Sequence, residues 1–133
     1  MRICIIDDDP ICHFIAKKMI GKMFPQCELS HFYDGKKAIE FFEEKQFAIS
    51  DLPELVLLDI NMPVMDGWDF ISMLEQLDIP CYDPSIFICS SSVSPVDVNR
   101  AKIIHAVQGY LTKPLNISAL KDAFTSVVSK AVC

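Results

Sequence analysis

Three short blocks of uninterrupted apolar residues, Ile3 to Ile6, Leu55 to Leu58 and Ile86 to Cys89, stand out along the chain. A strand with one wet face alternates apolar and polar residues, so unbroken blocks predict strands covered on both faces, as in the centre of a parallel sheet. Two further segments, Cys27 to Phe32 and Gln108 to Thr112, mix polar with apolar residues and fit the edges of the same sheet. Between these blocks the spacing turns helical. Ile117, Leu120, Phe124, Val127, Val128 and Ala131 follow the three-and-four rhythm of one helix face, with Asn116 as N-cap. Cys12, Ile15, Ala16, Met19 and Met23 form a second stripe, Phe70, Ile71, Leu74 and Leu77 a third, and Phe41 and Phe42 anchor a shorter one. Asp34-Gly35 and Asp66-Gly67 punctuate two helix entries. Ser94 to Val107 is also predicted to be helical, with Ser94 as cap and Pro95 in the first turn, although its apolar stripe is poorly defined.

Five strands alternating with five helices imply an α/β fold with a doubly wound, five-stranded parallel sheet, because right-handed crossovers place helices on both faces. One known order for such sheets is 2-1-3-4-5, which reverses between strands one and three and opens a crevice beyond their carboxyl ends. This order is borrowed from that fold class; the residue pattern itself does not dictate it. Under it, function belongs in that crevice.

Composition narrows the picture. The chain has 133 residues, 51% hydrophobic and 23% charged, which suits a single domain over 1–133 that folds without disulfides or a structural metal. A formal charge of -6 repels phosphate backbones and argues against direct contact with nucleic acid. The six cysteines form no Cys-x-x-Cys pair, and Cys4, Cys12 and Cys89 lie in apolar runs, so reduced thiols and a cytoplasmic location are expected. The first apolar run is too short for a signal-peptide core, and no stretch reaches about 18 apolar residues, so neither secretion nor membrane insertion is expected. Repeats, linkers and a second domain are likewise not expected.

The chemistry lies at the strand ends. Strand one runs into Asp7-Asp8-Asp9 and strand three ends at Asp59, so adjacency of these strands would crowd at least three carboxylates into one crevice. Two unit charges 4 Å apart repel by about 4 kcal/mol at an effective dielectric near 20, and crowding of this kind demands a metal, a proton or a lysine. Oxygen-only donors, with no His or Cys in the same loops, favour a hard ion such as Mg²⁺, which keeps waters and recruits phosphate oxygens. Strand four ends at Ser90-Ser91-Ser92 and strand five at Lys113-Pro114, adding hydroxyls and an ammonium. Carboxylates with a metal on one side, and a hydroxyl and an ammonium on the other, suit a phosphoryl group, with one aspartate as nucleophile.

Along essentially its whole length the chain resembles the CheY-like receiver domains of two-component response regulators. The segment Asp59-Ile60-Asn61-Met62-Pro63-Val64-Met65-Asp66-Gly67 is similar to the family's phosphoacceptor segment, and the acidic pair after strand one and the Lys-Pro after strand five match in order and spacing. The resemblance implies a flavodoxin-like fold and a single-domain response regulator without an output module. It implies that Asp59 is phosphorylated by a histidine kinase or phosphotransfer protein. Asp7, Asp8 and Asp59, with the backbone carbonyl of Asn61, would hold Mg²⁺, Asp8 being the direct ligand of the first pair. Lys113 would pair with phosphoryl oxygens across a cis bond to Pro114. Ser90 would be the sensing hydroxyl and Tyr110 the aromatic switch, with output through contact with a downstream protein. Counting back from Lys113 points instead to Ser91; the length of the preceding apolar block points to Ser90, which is preferred here.

Other readings compete at several positions. Asp9 before Pro10 and Asp66 before Gly67 read better as helix caps than as ligands. Tyr110 is equally suited to plain edge-strand packing. His13, His31 and His105 are too dispersed for a metal set and read as surface or edge residues; Met62, Met65 and Trp68 read as packing. Asp7-Asp8-Asp9 also fits the Asp-x-Asp of haloacid dehalogenase-like phosphatases, which would turn over many phosphomonoesters, whereas a receiver takes one phosphoryl group and is not a multiple-turnover enzyme. A third alternative is an interaction module that has lost phosphorylation.

Overall fold

The unbroken apolar blocks become the middle of a five-stranded parallel sheet, and their side chains divide between its two faces. The computed structural model describes the backbone of residues 1–132 and the side chains of residues 1–129. In chain order the elements are β1 (Arg2–Ile6), α1 (Pro10–Met23), β2 (Glu28–Phe32), α2 (Gly35–Lys45), a 3-10 turn at Ile49–Asp51, β3 (Leu55–Leu58), α3 (Gly67–Leu77), β4 (Ser85–Ser90), α4 (Pro95–Ile103), β5 (Val107–Thr112) and α5 (Ile117–Val132). The strand order is β2-β1-β3-β4-β5, the 2-1-3-4-5 arrangement.

Successive strand residues point to opposite faces. Cys4, Ile6, Val56, Leu58, Ile86 and Ile88 therefore pack with Ala38, Phe42, Phe70, Ile71, Leu74 and Ala101 of α2, α3 and α4. Ile3, Ile5, Leu55, Leu57 and Phe87 pack on the other face with Ala16, Ile20, Leu120, Ala123 and Val127 of α1 and α5. Register aligns the strand ends: Ile6 pairs with Leu58, so Asp7 and Asp59 leave the sheet side by side.

Each helix starts where a short polar side chain can take an orphan amide. Asp9 accepts from the Ile11 N–H at 2.9 Å, Asp34 from Lys37 at 2.7 Å, and Asn116 from Ala119 at 2.8 Å. Ser94 caps α4, and Asp66 and Asp69 form a reciprocal capping box at α3. The Asp9 and Asp66 carboxylates are thus occupied as caps.

Two glycines are required by close approach. A Cβ on Gly67 would lie 2.7 Å from the Asp59 carbonyl oxygen and the Ile60 Cα, so its absence lets α3 start directly against the end of β3. A Cβ on Gly109 would meet the Phe87 ring at 2.9 Å, next to the register shift between β4 and β5.

Three boundaries or faces depart from the sequence expectation. α4 stops at Ile103 and Val107 already belongs to β5, because the Val107 N–H bonds back to the Ile104 carbonyl in a turn. On α1 the buried face is His13, Ala16 and Ile20, with Cys12, Ile15, Met19 and Met23 along its flank. Among the described side chains of α5 the buried residues are Leu120, Ala123 and Val127, while Ile117 and Val128 are exposed. The side chain of Ala131, and Cys133, lie outside the described residues; Cys4, Cys12, Cys27, Cys81 and Cys89 are free thiols. Among the described residues no helix is long and apolar enough to cross a membrane.

Candidate functional site

Four strands deliver their carboxyl ends to one crevice. β1 supplies Asp7 and Asp8, β3 supplies Asp59 and the Asn61 loop, β4 ends on Ser90, and β5 leads to Lys113, whose bond to Pro114 is cis. Asp7, Asp59 and Ser90 are buried, at 3%, 5% and 0% exposure, whereas Asp8 and Asn61 are exposed. Each of Asp7, Asp8 and Asp59 offers a carboxylate oxygen within 4.8 Å of the others.

One cation threads this group. The Lys113 Nζ donates to Asp7 Oδ2 at 2.6 Å and to Asp59 Oδ2 at 3.4 Å. The other oxygen of each buried acid is held by backbone: the Asp9 N–H donates to Asp7 Oδ1 at 2.9 Å, and the Asn61 N–H to Asp59 Oδ1 at 3.0 Å. Burial pushes the Asp59 carboxyl above its ordinary pKa and the Asp7 charge adds to that, outweighing the Asn61 amide and Lys113. Burial also opposes the Lys113 charge, but the Asp7 hydrogen bond and the Asp59 and Asp7 charges win, so its ammonium is held more tightly than usual.

Three carboxylates and one ammonium leave two negative charges, and every donor is a hard oxygen. This set fits a divalent ion of the Mg²⁺ type. Asp7, Asp8 and Asp59 are the side chains able to hold it.

The hydroxyl side is equally connected. Ser90 Oγ accepts from the Asn61 Nδ2 at 3.3 Å and from the Ser92 N–H at 3.1 Å, while Ser91 is exposed and lines a cavity beside Lys113. Ser92 in turn donates through Oγ to Asp97 Oδ2 at 2.6 Å, and its carbonyl accepts the half-buried Tyr110 hydroxyl at 2.7 Å. Ser90 and Tyr110 thus share one neighbour. Trp68, the only tryptophan, is 7% exposed on α3 and lies under Arg100 of α4, whose guanidinium carbon is 4.7 Å from the ring centroid.

The cavity, about 310 Å³, runs from Asp59 and Lys113 inward between α1 and the sheet, walled by Ile5, Ile15, Leu57 and Leu115. Cys12 and Cys89 also face it. Burial raises both thiols, Cys89 to about 12, so they stay protonated and act as small apolar groups.

The reading of His13 as a surface or edge residue is corrected. It is 3% exposed, its Nε2 lies 2.7 Å from the Asp7 carbonyl oxygen, and its Nδ1 lies 2.9 Å from Nδ1 of His31. The missed signal was positional: His13 leads Ala16 and Ile20 at helical spacing on the buried face of α1. His31 is half-buried on edge strand β2, and His105 is exposed.

Comparison with known proteins identifies the family. Residues 3–125 match the response regulator receiver domain. A two-component response regulator, ARR18 of Arabidopsis thaliana, is 27% identical over 99% of this chain, which spans 19% of that protein; the chain likewise spans less than a third of the next three such plant relatives. The crystal structure of a two component response regulator from Cytophaga hutchinsonii is 30% identical, with a TM-score of 0.86 and 96% of each chain covered. The Mn²⁺-bound response regulator Rcp1 is 26% identical, with a TM-score of 0.71 over 95% of this chain and 88% of its own. Fold, strand-end residues and relatives converge, and the chain belongs to the response regulator receiver domain family.

Proposed function

We propose that Asp59 accepts a phosphoryl group from a phosphohistidine of a histidine kinase or histidine phosphotransfer protein, and that the chain signals by offering a changed surface to a downstream protein. Receiver domains are phosphoacceptors that bind Mg²⁺ at an acidic pocket. The observation that carries the assignment to Asp59 is the meeting of three carboxylates within 4.8 Å, two of them bridged by Lys113. Asp7, Asp8, Asp59 and the backbone carbonyl of Asn61 would hold Mg²⁺. When bound, the ion neutralises phosphoryl charge.

The chain's own residues do the rest. A carboxylate oxygen of Asp59 bonds to phosphorus as the phosphorus–nitrogen bond of the donor breaks, and the imidazole leaves with the bonding pair. Lys113, already between Asp7 and Asp59, meets the new phosphoryl oxygens. Phosphorylation adds roughly one negative charge and three acceptor oxygens, which draw the Ser90 hydroxyl as a donor. Turning Ser90 removes the acceptor of the Ser92 N–H, and Ser92 holds both Tyr110 and Asp97. Tyr110, α4, β5 and α5 then repack as a unit. The transfer is one event per chain, not multiple turnover. The use of Asp9 as the cap of α1 supports the receiver reading over an Asp-x-Asp phosphatase.

Incubation with Mg²⁺ and a small acyl phosphate should add the mass of one phosphoryl group to the wild type and none to Asp59→Asn. No gain in the wild type, or an equal gain in the variant, rejects the assignment.

A further inference from the structure

The buried imidazole of His13 has one donor fixed by its neighbour. Its Nε2 faces the Asp7 carbonyl oxygen at 2.7 Å, and a carbonyl only accepts, so Nε2 carries the proton. A neutral ring then presents a lone pair at Nδ1, and the partner 2.9 Å away, Nδ1 of His31, must donate. With His13 neutral, the protons run in one direction, from His31 to His13 to the Asp7 carbonyl. Burial, then the charges of His13 and Lys17, hold His31 below its ordinary pKa, in keeping with a neutral His31 ring. The Tyr33 ring covers His13 with its centroid 4.3 Å away.

What the chain of donors grips is the peptide between Asp7 and Asp8. Asp7 itself is fixed by its N–H on the Phe32 carbonyl, by the Asp9 N–H and by Lys113. The Asp7 carbonyl sets the plane of the next peptide, and that plane sets where the exposed Asp8 carboxylate leaves the backbone. We infer that His13 is a positioning residue of the acidic site, orienting the Asp7–Asp8 peptide through Nε2–H, and that His31 selects the tautomer that makes this possible. The inference rests on Asp8 being a Mg²⁺ ligand.

The test combines three measurements on the full chain: Mg²⁺ affinity by calorimetry, ¹⁵N imidazole shifts by NMR, and thermal unfolding without metal. The wild type should bind Mg²⁺ and show His13 protonated at Nε2 and His31 at Nδ1. His13→Phe keeps the bulk and loses the donor, and should weaken Mg²⁺ binding about tenfold, the usual cost of removing a hydrogen bond behind a ligand. His13→Gln supplies an amide donor and should recover most of that loss, which a packing role would not do. His31→Phe should change the His13 imidazole signature and weaken Mg²⁺ about threefold. Unchanged Mg²⁺ affinity in His31→Phe and in a folded His13→Phe, or the opposite tautomers in the wild type, overturns the inference. A wild type that binds no Mg²⁺ overturns the underlying site reading instead.

Discussion

The two faces of the sheet are built differently. The face under α2, α3 and α4 is rich in aromatic side chains: Phe42 meets Phe70 edge-on at 5.7 Å, and Tyr82 joins at 6.1 Å with its hydroxyl donating to the Pro53 carbonyl. The face under α1 and α5 is built around Ile, Leu and Ala, with one buried aromatic ring, Phe87, among the described strand and helix residues of that cluster, and it contains the cavity that opens at Asp59. Large rings occupy the middle of the first face, whereas small side chains such as Cys12 and Ala16 line the cavity on the second. The second face's free volume lies directly beside the candidate phosphoacceptor, whereas the first face's cavity, about 230 Å³ and lined by Ile71, Leu74, Ile79 and Tyr82, lies at the other end of α3.

The comparison can be broken from either side. The largest expected effect is on the aromatic face, where Phe42→Ala should cost about 3–5 kcal/mol in chemical unfolding because the side chain is fully buried among rings. At the site, Lys113→Ala leaves Asp7 and Asp59 facing each other and should lose about 3 kcal/mol in metal-free buffer. Mg²⁺ at a hundred times its dissociation constant should stabilise the wild type by about 2.7 kcal/mol, and a melting temperature that ignores Mg²⁺ would contradict the site. Asp66→Ala, which removes half of a capping box, should cost about 1 kcal/mol.

The smallest effect has the opposite sign. Burial raises the Asp59 pKa in the folded state, so the folded chain binds that proton more tightly than the unfolded one and loses stability as pH rises through this range. Metal-free Asp59→Asn should therefore melt higher than the wild type at neutral pH. The gain should shrink as the pH falls and the wild-type carboxyl is protonated. A constant difference across pH would mean that Asp59 is not the strained acid.

Much of this architecture could be read from residue order. The blocks at Ile3, Leu55 and Ile86 were continuous because both faces are covered, and acids placed immediately after such blocks had to emerge at a common rim. Asp9, Asp66, Ser94 and Asn116 announced helix starts because a short acceptor has one local use there. Faces of α1 and α5 were harder, since both helices carry apolar residues around more than one side and the side chosen depends on the sheet. His13 was illegible for a different reason. Its partners are the nearby Asp7 carbonyl and His31 on β2, the latter brought within reach only when β1 and β2 pair with Ile5 opposite His31. The helical spacing of His13 with Ala16 and Ile20 marked a buried face, but the hydrogen bonds that let a polar ring sit there do not show in that spacing.

The lone indole of Trp68 sits beneath the guanidinium of Arg100, bridging the helix that begins beside Asp59 and the helix tied to the serine loop. Its emission therefore comes from a single address, and any sliding of α4 changes the charge lying over that ring. The protein carries its own optical gauge of rearrangement, readable without attaching a dye.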